Sequence, residues 1–414
     1  MGVFQDNAPD ADVNVNPANP VIGVRSFGSR ASLVSPMVSA QVDGYQASNV
    51  AATAKHFPGH GDTGVDSHTG LPVITHSIAQ LETIDFPPFR AAIAAGVDSI
   101  MTAHILVPSL DASGDPATLS TPIVTGILRG ELGFTGVIVT DSLRMQGVRT
   151  KYGDDRVAVR AILAGVDQLL DPPNLPLAFN AVVASVRSGE IPQQRIDESV
   201  ARVLAMKWDR GLIGPGAALV NPDLIDSIVG APAHLAVAQA VTDRTTTLIK
   251  DAPDRVPTGS VEGRHILVTG RGVTTTGAIA ESLRNRGAVV SIVETGTQPS
   301  PDLIGRSVMA GIGKDLVIAL TYSASTYPEQ QALVDQLAMA KLPLIVIATG
   351  TPYDIAYFPQ VPTYITAYAY RPIALESAVR VITGQTQPSG RLPVTILRAN
   401  DPTRALYPFG WGLG

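Results

Sequence analysis

The sequence predicts two α/β units in series: a (β/α)8 TIM-type barrel, N-terminally incomplete, over residues 1–212, and an open α/β sheet over 233–414. Three observations predict this. Residues 50 to 210 alternate short β-type runs with longer helical patterns, the signature of parallel strands joined by helical crossovers. A second alternation of the same kind follows residue 260. Between them, residues 213–232 read IGPGAALVNPDLIDSIVGAP, a Gly/Pro/Ala-rich stretch expected of a connection between domains.

In the first region the strands are expected at Ala51–His56, Asp98–His104, Gly136–Asp141 and Val166–Asp171. Helices are expected at Ile78–Ala95, Thr121–Leu132, Asp154–Ala164, Leu175–Arg187 and Gln193–Asp209. Each strand is apolar and ends on a polar group: His56, His104, Asp141 and Asp171. In a (β/α) barrel the carboxyl ends of the strands form the active face, so a succession of such endings favours a barrel-type site. The chain offers about five strands and about 210 residues before the connection, against the eight strands and ~250 residues of a closed barrel. Such a partial barrel exposes unpaired edges, and the chain as it stands is expected to be poorly stable and weakly active.

The second region supplies expected strands at Arg264–Thr269, Ala288–Val293, Asp315–Thr321, Leu342–Ala348 and Thr363–Ala367, with helices such as Thr276–Arg286 and Pro328–Ala340 between them. This is the pattern of a doubly wound sheet. GRGVTTTG follows its first strand, but the glycine spacing does not fit G-x-G-x-x-G, which argues against nucleotide binding.

Composition narrows the function. Hydrophobic residues make up 45% and charged residues 16%, with a net charge of −6; no basic block is present, which argues against nucleic acid as a partner. Cysteine is absent, which excludes disulfides, thiolate metal sites and a cysteine nucleophile. Apolar runs such as Leu342–Ala348 fall far short of the ~20 residues of a membrane-spanning helix. No signal-peptide pattern opens the sequence, and compartment and oligomeric state are not legible.

The segment KHFPGHGDTGVDSHTGLP (55–72) concentrates three of the seven histidines (His56, His60, His68) with Asp62 and Asp66 on a Gly/Pro-broken loop. Loops held by a rigid scaffold are where catalytic groups collect. Asp141 closes an apolar strand, where a carboxylate is fixed and partly desolvated as a covalent nucleophile requires; an N-cap of the following turn is the equal alternative. Asp66 and His68, two residues apart on an extended loop, suit a carboxylate-oriented imidazole for proton transfer, or else a solvated pair. Lys55 and His56 can donate to hydroxyls, although a strand-end lysine is ordinarily a surface charge. Arg25 alone is uninformative. His104 is as easily a satisfied structural histidine as a pocket residue, and His60 and Asp62 shape the loop. A metal site built from His56, His60, His68, Asp62 and Asp66 is disfavoured, because Phe57-Pro58-Gly59 keeps His56 and His60 off one helix face.

KHFPGHG followed by Asp66-Ser67-His68, with NPVIGVRSF upstream, GFTGVIVTDSLRMQGV downstream and GRLPVT and LYPFGWGL at the end, resembles the β-N-acetylglucosaminidases of glycoside hydrolase family 3. The likeness covers nearly the whole chain. It implies Asp141 as the nucleophile of a retaining mechanism, His68 as general acid/base with Asp66 as its partner, and Arg25, Lys55 and His56 as sugar-binding residues. The implied partner is an oligosaccharide of cell-wall or chitin type, and no cofactor or metal is expected. NAPDADVNVNP matches a segment that in the family follows about three barrel strands, whose stretch would supply a further acidic sugar ligand. The Asp-x-His loop favours an N-acetylglucosaminide over a glucoside. A phosphorylase on the same glycosides and a non-catalytic carbohydrate-binding relative are the alternatives.

Overall fold

Four parallel strands organise the first unit, Met1–Ile225: β1 Gln5–Asp6, β2 Ala51–Phe57, β3 Ser99–Thr102 and β4 Val137–Thr140, hydrogen-bonded in the order β1-β2-β3-β4. This is a computed structural model, describing residues 2–66, 70–215, 217 and 220–414. The crossovers are helical. Helix α1, Ala31–Ala47, joins β1 to β2. Helix α2, Ile78–Gln80, a π-helical turn Leu81–Asp85 and α3, Phe86–Ala94, join β2 to β3. A π-helical segment Pro122–Glu131 precedes β4. Beyond it run α4 Gln146–Ala164, α5 Leu175–Arg187 and α6 Gln193–Asp209.

The expected helix Ile78–Ala95 thus becomes three pieces. A capping box of Ser77 and Gln80 starts it, and Pro87 and Pro88 leave the first turn of α3 without two backbone donors. The segment expected as a helix at Thr121–Leu132 is π rather than α, because the apolar positions Ile123, Val124, Ile127 and Leu128 read alike for both. Helix α4 starts at Gln146, but Gly153 (φ 76°, ψ 161°) divides it close to the expected start at Asp154.

The segment expected as a strand at Val166–Asp171 runs beside β4 without becoming a full strand. Val139 and Gln168 form a parallel bridge, the Asp167 and Gln168 N–H groups donate to the Ile138 carbonyl, and Thr140 N–H donates to the Gln168 carbonyl. The reason is chemical. The Ile138 N–H donates to Asp167 Oδ2 at 2.9 Å, and the buried Asp167 carboxylate also binds Arg129, Arg195 and Arg202. A side-chain hub therefore takes a donor that strand pairing would use.

Packing fixes β2 against α3. Phe57 stacks on Phe86 with centroids 5.9 Å apart and meets Phe89 edge-on at 5.2 Å. All three are buried, each contributing about 1.5–3 kcal/mol.

The second unit, Asp226–Gly414, begins in the short helix α7 Ile225–Ile228, followed by α8 Pro232–Thr245. Its strands are β5 Thr247–Asp251, β6 His265–Gly270, β7 Val289–Glu294, β8 Leu316–Thr321, β9 Leu344–Ala348 and β10 Thr363–Thr366. They form one sheet in the order β5-β10-β9-β8-β6-β7, parallel except for β5, which runs antiparallel to β10. Helices α9 Val273–Arg284, α10 Pro301–Gly311, α11 Glu329–Met339 and α12 Pro372–Ile382 make the connections. A hairpin of β11 Ile396–Arg398 and β12 Asp401–Tyr407 follows. The doubly wound expectation holds, and strands β8 and β9 are buried along their whole length, which is why they read as unbroken apolar runs.

Candidate active site

Everything in the site hangs on the segment 10–14, which sequence reasoning did not single out for function. Asp12 is fully buried. Its Oδ1 accepts from the backbone N–H of His56 (3.2 Å) and of His60 (2.7 Å), and its Oδ2 lies 2.7 Å from His56 Nδ1. One carboxylate therefore holds the end of β2 and the start of the following loop together. Gly61 makes this approach possible: a Cβ there would run into the Val13 carbonyl. The signal in the sequence was Asp10-Ala11-Asp12, two acids in a stretch whose other residues are uncharged.

His56 is 3% exposed, and burial pushes its pKa down to about 4. It is neutral at pH 7. With Nδ1–H donating to Asp12, Nε2 carries the lone pair, and Arg25 Nη2 donates to it at 3.1 Å. Arg25 Nε also lies 3.8 Å from Asp10 Oδ2. Burial, then the adjacent Asp12 charge, raises the pKa of Asp10.

Asp141 follows β4 directly. It does not cap α4, whose N-cap is Met145. Its Oδ1 accepts from Ser142 N–H at 2.7 Å, while Oδ2 lies 3.9 Å from His56 Nε2. Burial alone would raise its pKa. The charges of His56 and His104, the Ser142 N–H and Lys55 together outweigh burial and hold the pKa below the ordinary aspartate value. With His56 uncharged at pH 7, the Ser142 N–H and Lys55 still favour the ionised carboxylate. Lys55 is itself depressed, first by burial and then by Arg25, against the pull of Asp10, Asp141 and Asp12.

These groups converge. A cavity of about 130 Å³ is lined by Asn7, Val21, Arg25, Lys55, His56, His60, Met101, Asp141 and Leu170. The structure thus brings Asp141, Arg25, Lys55 and His56 together. Asp66 is described at its backbone, where its carbonyl accepts from Gly70 N–H at 3.1 Å; His68 lies outside the described residues. His104 is a satisfied histidine, with Nδ1 2.8 Å from Thr118 Oγ1 and Nε2 3.1 Å from the Ser142 carbonyl. It braces the residue next to Asp141. Asp171 is exposed and pairs with Arg144 at 2.8 Å.

Among the described residues, the ligand atoms of Asp10, Asp12 and His56 lie within 4.8 Å of one another, a spacing a metal ion can use. Asp12, however, already accepts from two backbone amides and the imidazole, so the set is built around hydrogen bonds. In the second unit, Glu294 Oε1 accepts from the N–H groups of Gly272 and Gly296. A carboxylate thus takes the N–H of Gly272, the N-cap of α9, where a nucleotide phosphate would bind.

Two family models match the chain: the glycosyl hydrolase family 3 N-terminal domain over residues 1–206 and the family 3 C-terminal domain over 212–414. The chain is 30% identical to a β-N-acetylglucosaminidase/β-glucosidase of Cellulomonas fimi over 95% of its own length and 74% of that protein. It is 37% identical to β-hexosaminidase A of Pseudoalteromonas piscicida over 56% of its length, spanning 42% of that protein. A solved family 3 β-N-acetylglucosaminidase from Paenibacillus sp. str. FPU-7 superposes with a TM-score of 0.87 at 35% identity, covering 96% of this chain and 77% of that one. The two-domain fold is accordingly a TIM-type barrel unit followed by an α/β sheet unit, and the chain belongs to glycoside hydrolase family 3.

Proposed function

We propose that the chain is a retaining exo-β-N-acetylglucosaminidase, releasing terminal β-linked N-acetylglucosamine from cell-wall or chitin-type saccharides. The observation that carries this reading is Asp141: an aspartate with a lowered pKa, at the mouth of β4, facing a cavity shared with Lys55, His56 and Arg25. Relatives named for N-acetylglucosaminidase and hexosaminidase activity support the substrate class.

The chemistry follows from the groups present. Asp141 Oδ2 attacks the anomeric carbon as the glycosidic oxygen leaves, and the leaving oxygen takes its proton from His68, oriented by Asp66. Water then attacks the glycosyl-enzyme, His68 takes the proton back, and Asp141 is released with the configuration retained. An imidazolium beside an ionised nucleophile attracts it, where a second carboxylate would repel it and raise its pKa. Lys55 and Arg25 donate to sugar hydroxyls.

The test is turnover of an aryl β-N-acetylglucosaminide against the matching β-glucoside, with and without inorganic phosphate. Preference for the N-acetyl substrate and indifference to phosphate are expected. Labelling by an activated fluorosugar should then place the covalent adduct on the peptide carrying Asp141. A label on any other residue removes Asp141 from the role, and phosphate-dependent turnover makes the chain a phosphorylase.

A further inference from the structure

Beneath the histidine-rich loop is a second imidazole with a carboxylate on each of its ring nitrogens. His76 Nδ1 lies 2.7 Å from Asp85 Oδ2, and His76 Nε2 lies 3.1 Å from Asp62 Oδ2. Only the imidazolium can donate to both. The carboxylates push its pKa up, the hydrogen bond to Asp85 most and against burial, with Asp62 adding to it. Among the described residues, Asp62 and Asp85 are the charged groups that face the ring.

The three residues join separate points of the loop. At its start, Gly59 (φ 133°) lies so close to Asp85 that a Cβ would meet the Asp85 side chain at 2.6–2.9 Å. In its middle, Asp62 is six residues before His68. At its end, His76 is pinned where Ile74 N–H donates to the Leu106 carbonyl and Ser109 Oγ donates to the His76 carbonyl. Asp85 is fully buried and immediately precedes α3. The loop is tied through one ring to the helix that packs on β2.

We infer that His76 is a positioning residue for the proton-transferring loop: its imidazolium, bridging Asp62 and Asp85, sets the path of the segment that carries Asp66 and His68. The inference rests on the glycosidase reading, and it adds a pH window. A histidine whose folded pKa is raised stabilises the folded arrangement below the unfolded value near 6.5, and loses that contribution as pH rises through the raised value. The ring's contribution is therefore full below about 6.5 and fades as pH rises through its raised value.

Asp62 is one-third exposed, so Asp62→Asn keeps shape and fold while removing the charge; His76→Gln tests the ring itself. The measurement is kcat/KM, which reports steps through glycosylation, on a β-linked N-acetylglucosamine disaccharide and on a dinitrophenyl N-acetylglucosaminide whose leaving group needs no proton. Both variants should lose about 10–100-fold on the disaccharide and less than about threefold on the activated substrate. Nitrogen-15 NMR should show both His76 ring nitrogens protonated at pH 7 in the wild type, with the titration moved to lower pH in Asp62→Asn. Equal losses on the two substrates, or none, overturn the inference, as does a neutral His76 at pH 7. Retained turnover in Asp141→Asn would refute the glycosidase reading instead, and the NMR titration would still decide whether the bridge exists.

Discussion

Both units end parallel strands in a row of loops, yet the two rows differ in chemistry. Around the ends of β2 and β4, groups of opposite preference crowd together, with His56 Nε2 3.9 Å from Asp141 Oδ2 and a His56 ring nitrogen within 4.8 Å of an Asp10 oxygen. His56 is kept neutral, Asp10 is driven towards its acid form, and Asp141 is held ionised. At the ends of β6 and β8 stand Gly270 with Arg271 and Thr321 with Tyr322; the Arg271 guanidinium lies 4.1 Å over the Tyr322 ring and 5.3 Å over Tyr370. The buried acid there, Asp354, accepts from Ala324 N–H at 2.8 Å, and among the described residues no imidazole or ammonium acts on it. Parallel strand ends alone do not make a reactive site. What separates the two rows is pairs of titratable groups whose surroundings push their pKa values apart.

The largest expected effect tests that contrast directly. Asp141→Asn should lower kcat by at least about 10⁴-fold with the fold intact by circular dichroism, whereas Arg271→Lys in the second unit should leave kcat within about twofold. Comparable losses would erase the distinction between the rows. Next in size, His68→Ala should cost about 10²–10⁴-fold on substrates with poor leaving groups, and much less on activated ones.

A third comparison uses backbone contacts. Gly61→Ala and Gly270→Ala both drive a Cβ into a carbonyl, of Val13 and Leu320 respectively, and each should cost about 1–3 kcal/mol in denaturant unfolding. Only Gly61→Ala should also raise KM, since it moves the loop that carries His60 off Asp12.

The smallest effect concerns pH. Burial lifts Asp354 to about 6, so the folded state holds a proton that the unfolded state releases above about 3.9. Its contribution is fully present below that value and is lost as pH rises through 6. The order of magnitude is about 3 kcal/mol. Asp354→Asn should flatten the fall in melting temperature between pH 4 and 7 without changing kcat; an unchanged slope would mean the acid is ionised throughout.

Much of this was legible in the sequence, for reasons that can be named. Strands β4, β8 and β9 are buried on both faces, so their apolar runs mark them unambiguously. Asp141, Lys55 and His56 were visible because chemistry at strand ends breaks such runs. The rest was hidden by interactions between distant residues. Asp12 reaches His56 across 44 positions, so nothing local marks its importance. The segment expected as a strand at Val166–Asp171 keeps only part of its pairing with β4, because the Asp167 carboxylate takes the Ile138 N–H, and His76 showed no role until Asp62 and Asp85 were found on either side of it. His60, read as loop shaping, is tied to Asp12 through its backbone amide, while its ring lines the cavity.

The fixed tautomer of His56 has a consequence for inhibitor design. Asp12 claims the Nδ1 proton, so the face of the ring turned towards the cavity is an acceptor, filled for now by Arg25. A compound that displaces the guanidinium must bring its own N–H or O–H to that nitrogen. A ring oxygen or ether placed there would set lone pair against lone pair. Basic iminosugars and hydroxyl-bearing scaffolds should accordingly outbind deoxy or ether analogues of the same shape.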